Sequence, residues 1–427
     1  MYVCGPTVYG PPHVGHGRMA LVFDVVRRYL EWSGFEVFFV SNVTDIDDKI
    51  IEKANAEGRS TTAVAEQYEA EWFDAMEAIG VARPTHSPRA TEWVDQMVDL
   101  IADLIERGHA YELSDGVYLE VSTIEGYGQL ARQDVESLQA GARIEANAEK
   151  RSPVDFVLWK KSKEGEPSWP SPWGGGRPGW HTECVVMSLG LLGDDFDLHG
   201  GGIDLRFPHH ENERAQAIGI GRPFARLWMH NGFVEVEGEK MSKSLGNFVN
   251  LPDLVANTDP RAYRMLVLRS HYRSPMEVTK DSIADARQAV ARLDAFARRT
   301  ADLPDVDPAP EVIEQFRALM DEDLNTAGAL DVVFRAVRAA HQALDMDDDE
   351  SAEPLSAAVR SMCGAVGLEL SEEPDEVPEE IVAKAQARED ARAAKDFATA
   401  DRLRDEIQAA GWVLDDGPSG TTVRRGN

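Results

Sequence analysis

Between residues 19 and 32 the apolar side chains Leu21, Val22, Val25, Val26 and Leu30 recur at the spacing of one helical face. Residues 37–40 form an unbroken apolar run and read as a buried strand leading into the polar turn 42–48. Helical periodicity returns over 52–80 and 91–107. This alternation, from Met1 to about residue 250, predicts an α/β unit: a parallel sheet with covering helices. Periodicity weakens between 111 and 163, as expected of an insertion between two halves of the sheet. Residues 287–299, 311–320 and 327–344 turn helical and predict a bundle. A Pro-rich stretch at 303–310 and an acidic, Pro-punctuated one at 370–380 read as breaks. A charged helix over 379–410, then Gly411 and a short strand-like tail, close the chain. The expected division is 1–250 with an insertion at about 111–175, a linking region 251–300, a helical bundle 301–370 and a small unit 379–427.

Composition sharpens this picture. At 427 residues the chain is too long for one core, so several domains are expected. No apolar run is long enough to cross a bilayer, and the start has no charged n-region followed by an apolar h-region. Three cysteines, Cys4, Cys184 and Cys363, exclude a disulfide scaffold and fit a reducing cytoplasm; Cys363 is expected to be a small buried hydrophobe. The formal charge is −31, and its acid is spread along the chain rather than held in a tail. Such a surface reads as adapted to a salt-rich cytoplasm, because screening lengths of about 3 Å at molar salt shrink both self-repulsion and repulsion from nucleic acid.

Two distant stretches carry phosphate chemistry. Pro12-His13-Val14-Gly15-His16 opens the first amphipathic helix, whose leading amides and dipole favour an anion. Pro11 and Pro12 stiffen the turn, while Gly15 and Gly17 would let backbone approach a ligand. Lys240-Met241-Ser242-Lys243-Ser244 places two ammonium groups in a Gly/Ser context, suited to charge building on a departing pyrophosphate. A lone Lys-Ser cluster is ordinarily a solvated loop; both stretches in one chain, in this order, argue for ATP activation.

A third constellation is His209-His210-Glu211-Asn212-Glu213 after Phe207-Pro208. Proline suits the first turn of a helix, so His209 and Glu213 fall at i and i+4 on one face. With Cys4 and Cys184 they could complete a zinc site, and His210, at i+3 from Glu213, is an equal candidate.

Taken together, Cys4-Gly5-Pro6-Thr7-Val8-Tyr9, the His13–His16 loop, Thr44-Asp45-Ile46-Asp47-Asp48-Lys49, Gly179-Trp180-His181-Thr182-Glu183-Cys184, His199-Gly200-Gly201-Gly202-Ile203-Asp204, the 207–213 run and 240–244 resemble the class I cysteinyl-tRNA synthetases. The likeness extends through 321–330 and 417–425. It implies a doubly wound, Rossmann-type catalytic domain with an insertion, then a helical bundle and a small C-terminal anticodon-binding domain. It also implies one zinc per subunit on Cys4, Cys184, His209 and Glu213, with the substrate sulfur as a further ligand. Zinc binds thiolate better than hydroxyl, whereas a pocket without such a bond separates isosteres by only about a hundredfold and needs editing. No separate editing domain is evident in the sequence.

By the same resemblance Thr44 and Trp180 lie beside the amino acid, and Gly202 and Asp204 line the adenosine. His13 and His16 attend the ATP phosphates, with magnesium accompanying ATP, and Lys240 and Lys243 grip the leaving group. Arg392, Asp401, Arg404 and Asp416 resemble anticodon-reading residues, with Phe397 where relatives often carry Trp. Basic residues Arg388, Lys395 and Arg402 punctuate the same segment. The expected partners are tRNA(Cys), L-cysteine and ATP, with no membrane, for a cytoplasmic monomer. Relatives carry an extra segment ahead of the strand bearing Cys4, so a missing N-terminal segment and a first strand of minimum length are expected. Two rivals share parts of this pattern: the cysteine ligase of mycothiol synthesis, which should lack the 411–425 tail, and an inert zinc-stabilised RNA-binding protein. The intact histidines and lysines count against the second.

Overall fold

In the computed structural model, which describes residues 1–132, 149–236, 239–240, 249–373, 377–410, 412–417 and 420–425, the chain begins in the middle of a sheet. Strand β1 (Tyr2–Val3) is flanked on one side by β2 (Val40–Ser41) and on the other by β7 (Leu198–Gly202), with β8 (Leu227–Asn231) beyond. All three pairings are parallel, with Tyr2 opposite both Val40 and His199. The sheet is wound outward in both directions from β1 and β7, which makes their C-terminal ends the switch point where such sheets bind ligands.

Helix α1 (Val14–Trp32) covers the sheet, then α2 (Asp48–Glu57), α3 (Thr61–Ala78) and α4 (Val94–Glu106) follow. The helical run anticipated over 52–80 is split because Gly58 takes a left-handed φ of 64° and ends α2, after which Ser60 caps α3. The strand anticipated over 37–40 is only Val40–Ser41. Phe38 before it is 47% exposed, and the strand edge is completed by bridges from Val40 to His86 and Val43 to Arg89. The insertion is an antiparallel sheet of β3 (Ala110–Leu113), β4 (Gly116–Leu119), β5 (Phe156–Lys161) and β6 (Gly176–Pro178). Helix α5 (Trp180–Leu192) leads back to β7.

A kinked turn, Arg206–His210, with a cis Phe207–Pro208 bond, precedes α6 (Glu211–Gly219). The helix therefore starts after the proline rather than at it, because Phe207 is extended (φ −142°, ψ 133°). After β8, strands β9 (Val234–Val236), β10 (Glu239–Lys240) and β11 (Met276–Glu277) form a small sheet around α7 (Leu251–Asn257) and α8 (Pro260–Leu268). A bundle of α9 (Lys280–Arg299), α10 (Pro310–Asp321), α11 (Thr326–Asp345) and α12 (Asp349–Ala365) shares one core with α1 and α8. Phe23, Phe296 and Phe316 are almost fully buried there, each worth about 1.5–3 kcal/mol of transfer free energy. Cys363 is buried in the same core, and burial pushes its thiol up to about 12.

The C-terminal segment is two helices, α13 (Glu379–Ala393) and α14 (Phe397–Ala409), where one had been anticipated. Lys395, at φ 63°, breaks the run, and Asp396 caps α14 by accepting from the Thr399 amide. They pack on a hairpin, β12 (Trp412–Gly417) and β13 (Gly420–Arg425), through Ile381, Ala385, Ile407 and Trp412.

Candidate active site

Above the switch point lies a cleft of 320 Å³ whose walls include Cys4, His13, His16, Trp180, Gly202 and Asp204. Four of them stand at the boundary of an element: Cys4 just past β1, His13 at the N-cap of α1, Trp180 at the first position of α5 and Gly202 at the end of β7. A side chain at Gly202 would come within 2.5 Å of the Asp204 carboxylate, so glycine there leaves that carboxylate open to the cleft.

His13 and His16 cap each other. The His16 amide donates to His13 Nδ1 (3.2 Å), the His13 amide donates to His16 Nδ1 (3.3 Å), and the rings stack at 3.5 Å. An Nδ1 that accepts a backbone N–H leaves the proton of a neutral ring on Nε2, so both rings offer an Nε2–H donor. Gly15 lines the cleft, but Gly17 serves packing instead: a side chain there would meet Leu251 and Tyr263 at 3.0 Å. The chain that follows the 240–244 stretch returns to the His13 loop. Asn250 bridges His13, the Val14 amide donates to Val249 and the Leu251 amide to Pro12. Lys240 lies in β10 opposite Glu235; Lys243 falls outside the described residues.

Beneath the cleft four buried groups converge. Cys4 Sγ and Cys184 Sγ are 3.6 Å apart, Cys4 Sγ lies 3.4 Å from Glu213 Oε1 and Cys184 Sγ 3.5 Å from His209 Nε2. His209 Nε2 and Glu213 Oε1 are 2.9 Å apart. With bonds of about 2.3 Å to sulfur and about 2.0 Å to nitrogen or oxygen, a tetrahedral ion would span edges of about 3.8, 3.5 and 3.3 Å. The donor set fits such an ion in chemistry and in spacing.

A second group, Cys4, His199, His210 and Glu213, is equally close. Its two histidines, His199 and His210, have the character of supports, however. His199 Nε2 holds Glu213 Oε2 at 2.6 Å, His181 Nδ1 meets His209 Nδ1 at 2.8 Å, and His210 spans Cys4 (3.3 Å) and His230 (2.9 Å). The outward atoms of His209 and Glu213 thus each have an imidazole behind them, the arrangement that orients metal ligands.

The electrostatics agree. Burial opposes charge on His209, yet Glu213 and Cys184 outweigh it and push the imidazole up to about 10. Burial likewise opposes the Glu213 carboxylate, which His199 and His209 nevertheless hold well below its usual range. Burial raises Cys4 well above an ordinary thiol. The same penalty on Cys184 is overcome by hydrogen bonding from Cys4 and by His209, down to about 6. His181 falls to about 3 and His230 to about 4, each chiefly through burial. Ionising two buried sulfurs beside a buried carboxylate is costly, and a cation held among them would offset that charge.

Thr44 does not line the cleft. It is buried, donating to Glu183 Oε2 (2.7 Å) and accepting from Asn42 Nδ2 (3.2 Å), while Asn42 Oδ1 accepts from the Gly5 amide (2.9 Å). Trp180 is 38% exposed and stacks on His209 with centroids 4.2 Å apart, a roof over one donor rather than a core residue. The sequence reading missed the supports His181, His199 and His230, and also Asn42 and the cleft cation Lys49, which sits 5.1 Å over the Tyr9 ring.

In the C-terminal unit, Arg392, Phe397, Asp401 and Arg404 are all exposed, with Phe397 at 63%. Arg388 is buried and reaches Thr421 Oγ1 at 3.4 Å, so it packs the hairpin rather than facing solvent. Asp416 lies in β12 opposite Thr421.

A doubly wound sheet with a histidine loop at its switch point is the frame of a class I aminoacyl-tRNA synthetase, and the chain matches that class. The family model for the tRNA synthetases class I (C) catalytic domain matches residues 1–288, that for the DALR domain 315–371, and that for the cysteinyl-tRNA ligase anticodon binding domain 375–424. With these domains and the relatives below, the chain belongs to the cysteine–tRNA ligases and is a ligase enzyme. The cysteine–tRNA ligase of Alkalilimnicola ehrlichii is 46% identical over 100% of this chain and 95% of its own length. That of Halorhodospira halophila is 47% identical over 100% and 94%. In fold the chain is similar to Mycobacterium tuberculosis methionyl-tRNA synthetase in complex with methionyl-adenylate (TM-score 0.62, 17% identity, 86% of this chain and 89% of that one).

Proposed function

We propose that this enzyme activates L-cysteine with ATP to cysteinyl-adenylate and passes it to the 3′ end of tRNA(Cys), as the names of its relatives suggest. The observation that carries the reading is the convergence of Cys4, Cys184, His209 and Glu213 beneath the cleft that holds His13 and His16. Zinc in that donor set would accept a thiolate far more readily than a hydroxyl, which separates cysteine from serine. The chain's own residues supply the rest. Trp180 closes the amino-acid side, and Asp204 faces the ribose hydroxyls. His13 and His16 point Nε2–H donors at the triphosphate as the cysteine carboxylate attacks the α-phosphorus in line. Lys240 and Lys243 stabilise the departing pyrophosphate, with magnesium on ATP. The terminal ribose hydroxyl of tRNA then attacks the mixed anhydride. Arg392, Phe397, Asp401, Arg404 and Asp416 are assigned to the anticodon, Phe397 as a stacking surface.

Cysteine-dependent ATP–pyrophosphate exchange, with and without tRNA, tests this. Exchange with charging of tRNA(Cys) is expected. Exchange without charging would favour ligation to an amino sugar, and no exchange would favour a binding protein. We further assign the enzyme to a salt-rich cytoplasm, as a monomer. Its thermal midpoint should rise between about 0.1 and 1 M KCl as screening tightens, and sedimentation should give a single-chain mass.

A further inference from the structure

Arg18 lies two positions after His16 on α1 and is 1% exposed. Among the described residues its hydrogen bonds end on carbonyl oxygens: Nη1 donates to Phe233 (2.6 Å), and Nη2 to Ser274 (2.5 Å), Tyr272 (3.3 Å) and His271 (3.4 Å). Glu235 favours its charge through space, but these hydrogen bonds go to main-chain carbonyls, so what the side chain provides is geometry: a rigid planar fork that fixes several oxygens at once.

Those oxygens belong to the segments that lead into β9 and β11, which pair in parallel beside the cleft. The Gly232 amide donates to Tyr272 (2.7 Å), Met276 to Phe233 (3.0 Å) and Val278 to Glu235 (2.9 Å). A side chain at Gly232 would sit 2.4 Å from the Ser274 oxygen, so glycine is what lets the two segments lie this close. Phe233 and Val234 line the cleft, and β9 pairs with β10 so that Glu235 faces Lys240. The segment 271–274 is also held from the bundle. Asp323 accepts from Tyr272 Oη (2.7 Å) and from Arg273 Nε (2.7 Å) and Nη2 (2.8 Å).

We infer that Arg18 is a positioning residue for adenylate formation: by gathering the carbonyls of Phe233 and 271–274 it sets the strand pair carrying Lys240 against the helix that begins at His13. The inference rests on the roles proposed above for His13, His16 and Lys240. It makes the placement of β9 and β10 against the start of α1 depend on one guanidinium, with Asp323 bracing the far side of the same segment.

The test is Arg18→Lys in the full chain, which keeps the charge and loses the fork. At temperatures well below the thermal midpoint, kcat for pyrophosphate exchange should fall about tenfold or more while KM for cysteine stays within about twofold, since the cysteine pocket is built from other elements. A kcat within about twofold of wild type, or a loss matched by an equal rise in that KM, overturns the inference. Should Arg18→Lys not fold, Asp323→Asn serves at a surface position: the same split with about a threefold fall is expected, and an unchanged kcat overturns it. A wild-type chain silent in exchange would sink the proposed function and this inference together; an active wild type with unaffected variants sinks only the inference.

Discussion

Cys4 and Cys184 stand 180 residues apart in the chain and bring their sulfurs to 3.6 Å. That is far beyond the ~2.05 Å of a disulfide and near the sulfur–sulfur edge of a tetrahedral ion. The purified enzyme should contain about one zinc per chain, and Cys184→Ser less than about a fifth of that. Metal analysis of both proteins decides it; full retention in the variant would remove Cys184 from the donors.

His13 has two duties that can be separated. Alanine there removes the helix cap and the partner proposed above for the triphosphate. Exchange kcat should fall about a hundredfold, and stability by about 1 kcal/mol. Asparagine can still cap, so His13→Asn should recover the stability but not the rate. Recovery of both would mean that the imidazole matters only to the helix.

Asp24 collects Arg264 Nη1 (2.7 Å), Arg28 Nε (2.8 Å) and the Ala82 amide (2.9 Å), and both it and Arg264 are nearly inaccessible. Asp24→Ala strands a buried guanidinium, with an expected cost of about 3–5 kcal/mol in urea unfolding. A loss under about 1 kcal/mol would show that water or backbone takes over the charge.

Tyr29 ties α1 to the bundle through Asp321 (2.5 Å), and burial together with that carboxylate raises its phenol to about 12. A group raised in the folded state contributes stability fully below its unfolded pKa and loses it as pH climbs through the folded value. Stability should therefore erode between about pH 10 and about pH 12. In Tyr29→Phe this alkaline loss should be smaller, as read from denaturant midpoints across that window. An identical slope in both proteins would contradict the assignment.

How much of this was legible beforehand depended on how local each signal was. The α1 periodicity and the His13–His16 and His209–Glu213 spacings are written within a few residues, and the structure places them as that spacing implies. Strands β1 and β2 are two residues each, too short for any alternation to register. The breaks at Gly58 and Lys395 hinge on single left-handed residues inside otherwise unbroken helical patterns. Arg18 was invisible for a different reason. Its partners are main-chain oxygens 215 to 256 residues away, and a carbonyl carries no residue identity for a motif to hold. The imidazoles behind the donor set are likewise assembled only by the fold, as is the turning of Thr44 away from the cleft onto Glu183.

The donors that meet beneath the cleft span 209 residues, from Cys4 to Glu213. A nascent chain therefore holds an incomplete set until the helix after Pro208 has left the ribosome, by which point the whole insertion has already been made. An ion on this set would be captured no earlier than about the midpoint of the 427-residue chain's synthesis. Translation-arrested fragments that end before residue 213 should be unable to hold the ion, while those extended past β8 should gain that capacity together with the completed sheet.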